Sequence, residues 1–266
     1  MKHVLTGAAM VSMLCLTGCQ DSTKTTVNPA VETPQVEMES QEELAAKERQ
    51  AQYESLFFTT KDQTIAYDGY AEYGHLITFE SKEEKSDGSV VYTYKGTMND
   101  GLGDDDGTRY FTVSYTVTSE GIVETVNNQD PHRHQESNDV LNSIIPNKVI
   151  LKGELERGTM WTESFTYEGK TYEAINELIV QTTEEGAVQY RVDTRVENIP
   201  GFIEETYTET RVFEEGLGLV SFTNRQSLSQ FDEEYVKDYP ESEFYEFGYG
   251  RSGELQQPDT DGLEQE

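Results

Sequence analysis

The chain has 266 residues, with 51 Asp and Glu against 20 Lys and Arg, so its formal net charge is −31 at pH 7. Charge of this sign repels the phosphates of nucleic acids and anionic lipid headgroups, which excludes both as partners of the folded part. Cationic ligands are attracted, although an acid-rich surface also serves simply to keep an exposed protein soluble.

An export signal is predicted at residues 1–18. Lys2 supplies a positive charge, and residues 4–16 form an apolar run, which is shorter than the roughly 20 residues that span a bilayer. The run ends in Leu16-Thr17-Gly18-Cys19, which closely resembles the lipobox of bacterial lipoproteins. That resemblance implies cleavage before Cys19 and lipidation of its thiol. An ordinary secretory signal with a chance cysteine is the alternative.

Lipidation of Cys19 places the protein at the outer, extracytoplasmic face of the cell membrane, with the bilayer as its partner through covalent lipid. Two acyl chains give stable anchoring where one is marginal. Cleavage removes 18 of 266 residues, and with them Lys2 but no acid, which leaves 248 residues and a net charge of −32. Cys15 is removed as well, so the mature chain has one cysteine and forms no internal disulfide.

Two segments precede the predicted domain. Residues 19–39 lack periodicity and aromatic side chains, which predicts a flexible tether that spans about 25 Å as a coil. Residues 40–56 are rich in helix formers and begin with Ser40-Gln41-Glu42-Glu43, a capping-box pattern. Their apolar face, Leu44, Ala51 and Leu56, is thin, so this segment is interpreted as a helical spacer that frays.

Residues 57–248 are predicted to form a mainly β domain. Apolar and polar side chains alternate over residues 111–118 and 190–197, and Asp-Gly or Glu-Gly pairs mark turns between such runs. This pattern is typical of an antiparallel sheet, either a half-barrel or a sandwich. One short internal helix is predicted at 138–145, capped by Ser137 and ended by Pro146. The polar, acidic residues 249–266 are predicted to be a disordered tail.

A weak internal repeat relates the two halves of this domain. Tyr67-Asp68-Gly69 is matched by Tyr167-Glu168-Gly169, and Leu76-Ile77 by Leu178-Ile179, at offsets of 100 and 102 residues. Further matches relate Asp87-Gly88 to Glu185-Gly186 and Glu120-Gly121 to Glu215-Gly216, at offsets of 98 and 95 residues. Hairpins share such turns without common ancestry, so duplication is one of two interpretations. If it is real, the halves form one pseudo-symmetric sheet pair or half-barrel.

Two segments carry a family resemblance. Residues 151–155 (LKGEL) with Gly158 and Trp161, followed by residues 216–220 (GLGLV), resemble uncharacterised Gram-positive bacterial surface lipoproteins. The resemblance implies no activity. Trp161, the single tryptophan, is interpreted as a core anchor, with a ligand-binding position at a pocket mouth as the alternative.

Catalytic and metal-binding patterns are weak in this sequence. Asp104, Asp105 and Asp106 resemble an acidic calcium loop but do not fit the EF-hand frame, which leaves an irregular calcium site or a solvated loop. His132 and His134 flank an arginine, which is more typical of an exposed loop than of a zinc site. No nucleophile elbow or phosphate-binding glycine loop is present, so we expect a protein without catalytic activity or a cofactor.

Binding is therefore the expected class of function. The 16 Tyr and 11 Phe residues favour a module or carrier for an apolar ligand held by a curved sheet. The alternative is an envelope interaction protein that docks a cationic or protein partner through its acidic face.

Overall fold

The computed structural model describes residues 40–69, 74–99, 110–128, 143–225 and 246–252. These contain one α-helix, α1 (Gln41–Glu54), a single 3-10 turn (Ile203–Glu205) and twelve β-strands. The first six strands are β1 (Thr64–Gly69), β2 (Gly74–Glu84), β3 (Val90–Asn99), β4 (Tyr110–Val117), β5 (Gly121–Asn128) and β6 (Lys148–Lys152). The other six are β7 (Met160–Tyr167), β8 (Lys170–Thr182), β9 (Val188–Glu197), β10 (Thr206–Glu214), β11 (Gly218–Arg225) and β12 (Glu246–Arg251).

All twelve strands belong to one antiparallel sheet with the order β6-β5-β4-β3-β2-β1-β12-β11-β10-β9-β8-β7. Strands β1–β6 form one meander and β7–β12 form a second, and the two are joined where Tyr67 of β1 pairs with Arg251 of β12. The outer strands, β6 and β7, meet through side chains, so the sheet is a nearly closed barrel. The predicted mainly β, antiparallel fold class is confirmed.

Alternation of side chains decides which face of each strand is buried. On β4, Val113, Tyr115 and Val117 point into the barrel and are buried, while the intervening threonines and serine are half-buried. On β9 the same alternation buries Val192 and Val196. Since a strand presents successive side chains to opposite faces, the period-two pattern of the sequence correctly identified the inward residues of both strands.

The predicted internal repeat follows the two meanders. The matched segments fall on corresponding elements of the two meanders. The first two matches relate β1 to β7 and β2 to β8. The other two relate the β2–β3 turn to the β8–β9 turn, and the β4–β5 turn to the β10–β11 turn. The β2–β3 and β8–β9 hairpins have turns with the same hydrogen-bond pattern. Lys85 N donates to Ser89 O at 2.8 Å in the first, and Thr183 N donates to Ala187 O at 2.9 Å in the second. Gly88 and Gly186 both adopt positive φ in these turns, +84° and +90°.

Helix α1 begins as predicted but is not a spacer. Ser40 N donates to Glu43 Oε2 at 2.8 Å and Glu43 N to Ser40 Oγ at 3.2 Å, which completes the capping box. Tyr53 in its last turn and residues 56–58 after it are buried in the barrel core, and α1 belongs to the same compact unit as the sheet. The core residues concerned are Tyr53, Leu56, Phe57 and Phe58. The spacer interpretation was wrong because it considered only the apolar face of Leu44, Ala51 and Leu56. The three aromatic residues in this group, Tyr53, Phe57 and Phe58, are not part of that face.

Two further boundaries differ from the prediction. Strand β12 continues to Arg251, three residues past the predicted domain end at 248, because Tyr249 stacks on Phe222 with ring centroids 5.2 Å apart. The described end of the predicted internal helix, Ser143 to Ile145, is a bend in which Ile145 N donates to Ser143 Oγ at 3.1 Å. That side-chain acceptor competes with the backbone carbonyl that a helix requires. Residues 137–142 lie outside the described part.

Buried apolar side chains form two clusters. The larger contains the residues after α1 and the inward side chains of β1–β5 and β11, and the smaller contains Phe165, Phe202 and Tyr207 near the 3-10 turn. Within the described ranges, no helix has the length and apolar character needed to cross a membrane.

Candidate functional site

A group of charged and polar side chains lies inside the barrel. We call it the charged cluster; its members are Glu124, Lys148, Glu163, Asn176, Thr194, Tyr207, Glu209 and Arg211. Lys148 is 1% exposed and Glu209 0%, and the most exposed of the three carboxylates, Glu163, is 10% exposed. Such burial of ionised groups costs free energy unless each is paired.

Lys148 is the centre of the cluster. Its Nζ donates to Glu163 Oε1 and to Asn176 Oδ1, both at 2.7 Å, and lies 3.8 Å from Glu209 Oε1. Thr194 Oγ1 also donates to Asn176 Oδ1 at 2.7 Å. The ammonium thus links β6 to β7, β8 and β10, which are far apart in sequence.

A second cation completes the cluster. Arg211 Nε donates to Glu209 Oε1 at 3.1 Å and Arg211 Nη1 to Glu124 Oε1 at 2.5 Å, and the guanidinium lies 5.1 Å from the ring centre of Phe222. Tyr207 donates its hydroxyl to Glu209 Oε2 at 2.6 Å. Both oxygens of the Glu209 carboxylate are therefore hydrogen-bonded.

The pKa values follow from these pairs. Burial raises the pKa of Glu209, but the charges of Arg211 and Lys148 outweigh it and hold the pKa below its ordinary value. Burial lowers the pKa of Arg211, and the carboxylates of Glu124 and Glu209 outweigh it and hold the pKa well above its ordinary value. Burial and the adjacent Glu209 raise the pKa of the Tyr207 hydroxyl well above its usual range. The contact between Glu209 and Arg211 is therefore ionic at neutral pH.

The line between β6 and β7, which we call the seam, is closed by side chains rather than by a backbone ladder in the described residues. Trp161 Nε1 of β7 donates to Val149 O at 3.2 Å, and Val149 N donates to Glu163 Oε2 at 2.9 Å. Both backbone groups of Val149 on this strand edge are thus satisfied by β7 side chains. This contact also lowers the exposure of an otherwise open sheet edge.

Helix α1 closes the barrel end at which four hairpins and the β6–β7 connection lie. Gln50 Nε2 donates to Gly88 O of the β2–β3 hairpin at 2.9 Å, and Arg49 Nε donates to Ser119 O of the β4–β5 hairpin at 2.7 Å. The Tyr53 hydroxyl donates to Gly153 O in the β6–β7 connection.

The residues that follow α1 continue this closure. Gly216 N donates to Ser55 O at 2.8 Å and Gly218 N to Leu56 O at 2.7 Å, which ties the β10–β11 hairpin to the chain. Phe57 packs its ring on those of Tyr92 and Tyr115, with centroids 4.8 and 4.7 Å away. One end of the barrel is therefore covered by the segment next to the predicted tether.

An aromatic cluster lies near β1, β2 and β12. His75 stacks on Tyr67 with centroids 4.5 Å apart and meets Tyr249 edge-on at 4.8 Å. Burial lowers the pKa of His75 to about 3, so its imidazole is neutral at physiological pH. The Tyr67 hydroxyl donates to Leu219 O at 2.6 Å. These rings fill the barrel interior and contact one another.

The predicted site residues have different outcomes. Trp161 is 6% exposed, belongs to the larger apolar cluster and bonds across the seam, so the core interpretation is confirmed. Its alternative role in ligand binding stays a prediction. Cys19 and the acidic loop Asp104, Asp105 and Asp106 lie outside the described residues, as do His132 and His134. No group of three or more His, Cys, Asp or Glu side chains in the described ranges could hold a metal ion.

Sequence reasoning missed the charged cluster, although one signal was present. In β10, Glu209 and Arg211 share the parity of Tyr207 and Phe213, and all four are buried. Strict alternation therefore placed two charges on an inward face. Their partners lie on other strands, so alternation alone could not show that they were paired.

Comparisons with known proteins give only distant similarities. No protein-family model matches the chain, and no curated protein matches it significantly. A solved structure from Bacteroides fragilis, described as an exported protein with a YmcC-like fold, has a TM-score of 0.40 and 10% identity, covering 75% of this chain and 98% of that one. Another from Parabacteroides distasonis, described as a lipoprotein, has a TM-score of 0.35 and 13% identity, covering 76% and 98%.

Similarity at this level carries no conclusion about activity or ligand. The resemblance to Gram-positive surface lipoproteins and its two segments stays a prediction.

Proposed function

We propose that this protein is a lipoprotein of the extracytoplasmic membrane surface whose barrel docks a cationic partner at the end opposite α1. The observation that carries the proposal is the closure of one barrel end by α1 and residues 55–58. The predicted tether ends at residue 39, directly before Ser40 and α1. In the described residues, the contacts of α1 cover the closed end and not the opposite one.

The sequence of the opposite end supports a cationic partner. Among the described residues, the β7–β8 and β9–β10 connections lie at that end, and they expose three carboxylates, those of Glu168, Glu204 and Glu205. Neither connection contains Lys or Arg, so the two together carry a net charge of −3. Concentrated charge of one sign attracts a partner of opposite sign and speeds its association.

The interior gives less support to the alternative, a carrier for a purely apolar ligand. Two cations and three carboxylates of the charged cluster lie across the barrel interior. An apolar ligand bound next to them could not hydrogen-bond to these charged groups as water does, which makes its binding there unfavourable. The aromatic rings that suggested a carrier contact one another and the residues after α1. Binding of an apolar fluorescent probe to the purified full chain would favour the carrier instead.

Binding of a labelled oligolysine peptide to the full lipidated chain in phosphatidylcholine vesicles tests the proposal. We expect saturable binding that weakens steeply when salt rises from about 50 mM to about 500 mM, because screening shortens the reach of surface charge. Neutralising Glu168, Glu204 and Glu205 as their amides should weaken binding several-fold.

The matched control neutralises three exposed acids beside the closed end. Glu84, Glu120 and Glu185 lie at the β2–β3, β4–β5 and β8–β9 hairpins, and their amide variants should bind the peptide as the unaltered protein does. Equal weakening by both triple variants would mean that only overall charge matters. That result, or binding insensitive to salt, would overturn docking at the opposite end.

A further inference from the structure

The two meanders are joined in different ways on their two sides. Between β1 and β12, three residue pairs are in backbone register, from Tyr67 with Arg251 to Gly69 with Tyr249. At the seam, the contacts between β6 and β7 are made by the side chains of Lys148, Trp161 and Glu163. A barrel held by backbone pairing on one side and by side chains on the other has a defined line of weakness.

We propose that the barrel opens sideways along the seam, with the Lys148–Glu163 pair as the latch and the β1–β12 junction as the hinge. Opening separates Lys148 from Glu163 and Asn176, and Arg211 from Glu124, and brings the charged cluster into contact with water. Hydration of the exposed charges offsets part of the lost pairing, which makes opening of this line cheaper than opening of an apolar barrel wall. This inference concerns the barrel itself and is independent of the proposed partner.

Helix α1 determines which end of the seam moves further. The Tyr53 hydroxyl bonds to Gly153 O, and Arg49 pairs with Glu154, so the β6–β7 connection is fastened to the helix. Gly158 N donates to Leu178 O at 2.8 Å and holds the start of β7 against β8. The seam is thus fixed beside α1 and opens widest toward the opposite end of the barrel.

Trp161 makes the opening measurable without a label. It is the single tryptophan of the whole chain, it is 6% exposed, and its indole nitrogen bonds across the seam. Excitation selective for tryptophan therefore reports on the seam alone, despite 16 tyrosines elsewhere. Quenching by acrylamide should rise when the seam opens and should stay low while it is closed.

Hydrogen exchange of the unaltered full chain gives the first test. Opening the seam releases the Val149 amide, which bonds to Glu163 Oε2 across it, but leaves intact the ladders that pair β6 with β5 and β7 with β8. The Val149 amide should therefore exchange about tenfold faster than the paired amides of β1 and β12, and exchange of Val149 only at the rate of global unfolding would overturn the proposal. This measurement needs no variant, so it decides even if substitutions in the core prevent folding.

A variant of the latch gives the second test. Lys148→Met removes the ammonium at similar length, and we expect severalfold stronger quenching of Trp161 and faster exchange of the Val149 amide, with β1 and β12 unchanged. The matched control is Lys82→Met, which removes an ion pair with Glu54 (2.8 Å) away from the seam and should leave Trp161 quenching unaltered. Unchanged quenching in a folded Lys148→Met protein would show that the pair is no latch.

Discussion

Arg211 on β10 and Glu124 on β5 lie 2.5 Å apart, Nη1 to Oε1, although 87 residues separate them in the chain. The two strands belong to different meanders and are not neighbours in the sheet. The contact therefore joins the halves through the barrel interior. Arg211 also holds Glu209, so a single guanidinium compensates two buried carboxylates.

Arg211→Met should lower the free energy of unfolding by about 3–5 kcal/mol, the usual cost of leaving a buried charge without its partner. The loss is large because Glu124 and Glu209 both stay buried, at 6% and 0% exposure of their side chains. Denaturant unfolding followed by circular dichroism measures it.

The matched control for Arg211 is Arg195→Met on the outer face of β9. Arg195 pairs with Glu197 at 2.9 Å, but both side chains are more than half exposed, so the loss should stay below about 1 kcal/mol. If both variants lose equal stability, the interior pairs contribute no more than surface pairs do.

Acidification from pH 7 to pH 5 should destabilise the fold through His75. Burial lowers its pKa from the ordinary 6.5 to about 3 in the folded protein, so between those limits the unfolded chain binds a proton that the folded chain does not. Stability is therefore complete above pH 6.5 and falls as the pH decreases toward 3. Each pH unit below 6.5 lowers the free energy of unfolding by about 1.4 kcal/mol, so at pH 5 the free energy of unfolding is lower by about 2 kcal/mol.

Replacement of the imidazole tests the assignment of this slope. His75→Phe keeps a ring against Tyr67 but does not titrate, so its free energy of unfolding should vary little between pH 5 and pH 7. The double variant His132→Gln, His134→Gln should keep the slope of the unaltered protein. A slope that persists in His75→Phe would assign the effect to other groups.

Gly96→Ala should destabilise the barrel by about 1–3 kcal/mol, the usual cost of overpacking. Gly96 of β3 lies directly opposite Phe111 of β4, and a methyl group at position 96 would overlap the phenylalanine ring. The missing side chain thus makes room for a cross-strand aromatic ring.

Two further variants isolate the cause of that loss. Phe111→Leu combined with Gly96→Ala should recover part of the stability, since the smaller side chain relieves the overlap. Gly250→Ala, in a strand where the nearest atom is Val220 O at 3.8 Å, should be close to neutral. Thermal unfolding of the four proteins decides between a local clash and a general intolerance of alanine.

Much of the fold could be predicted because its signals are local. Alternation at residues 111–117, the capping box at Ser40 and the turn at Gly88 each depend on residues within one element. The repeat predicted two corresponding halves, and the sheet does consist of two meanders of six strands each, whereas common ancestry of the halves stays a prediction.

The seam and the charged cluster could not be predicted because their partners are distant in sequence. Lys148 reaches residues 15 and 28 positions away, and nothing in the residues 148–152 shows that the lysine points inward. An inward lysine is normally excluded from a core unless paired, so the sequence alone favoured an exposed position. Knowledge of strand order is needed before such pairs can be recognised.

Cys19→Ala should abolish attachment to the membrane. If the thiol carries the lipid, the variant incorporates no labelled palmitate and appears in the soluble envelope fraction, because acyl chains supply the anchoring energy at about 0.8 kcal/mol per buried methylene. Gly18 and Thr17 stay in place, so recognition of the export segment is retained. Cys15→Ala is the matched control, since that cysteine precedes the predicted cleavage site and its loss should leave labelling intact. Labelling that survives Cys19→Ala would move the lipid to another residue and remove the basis for a tether at residues 20–39.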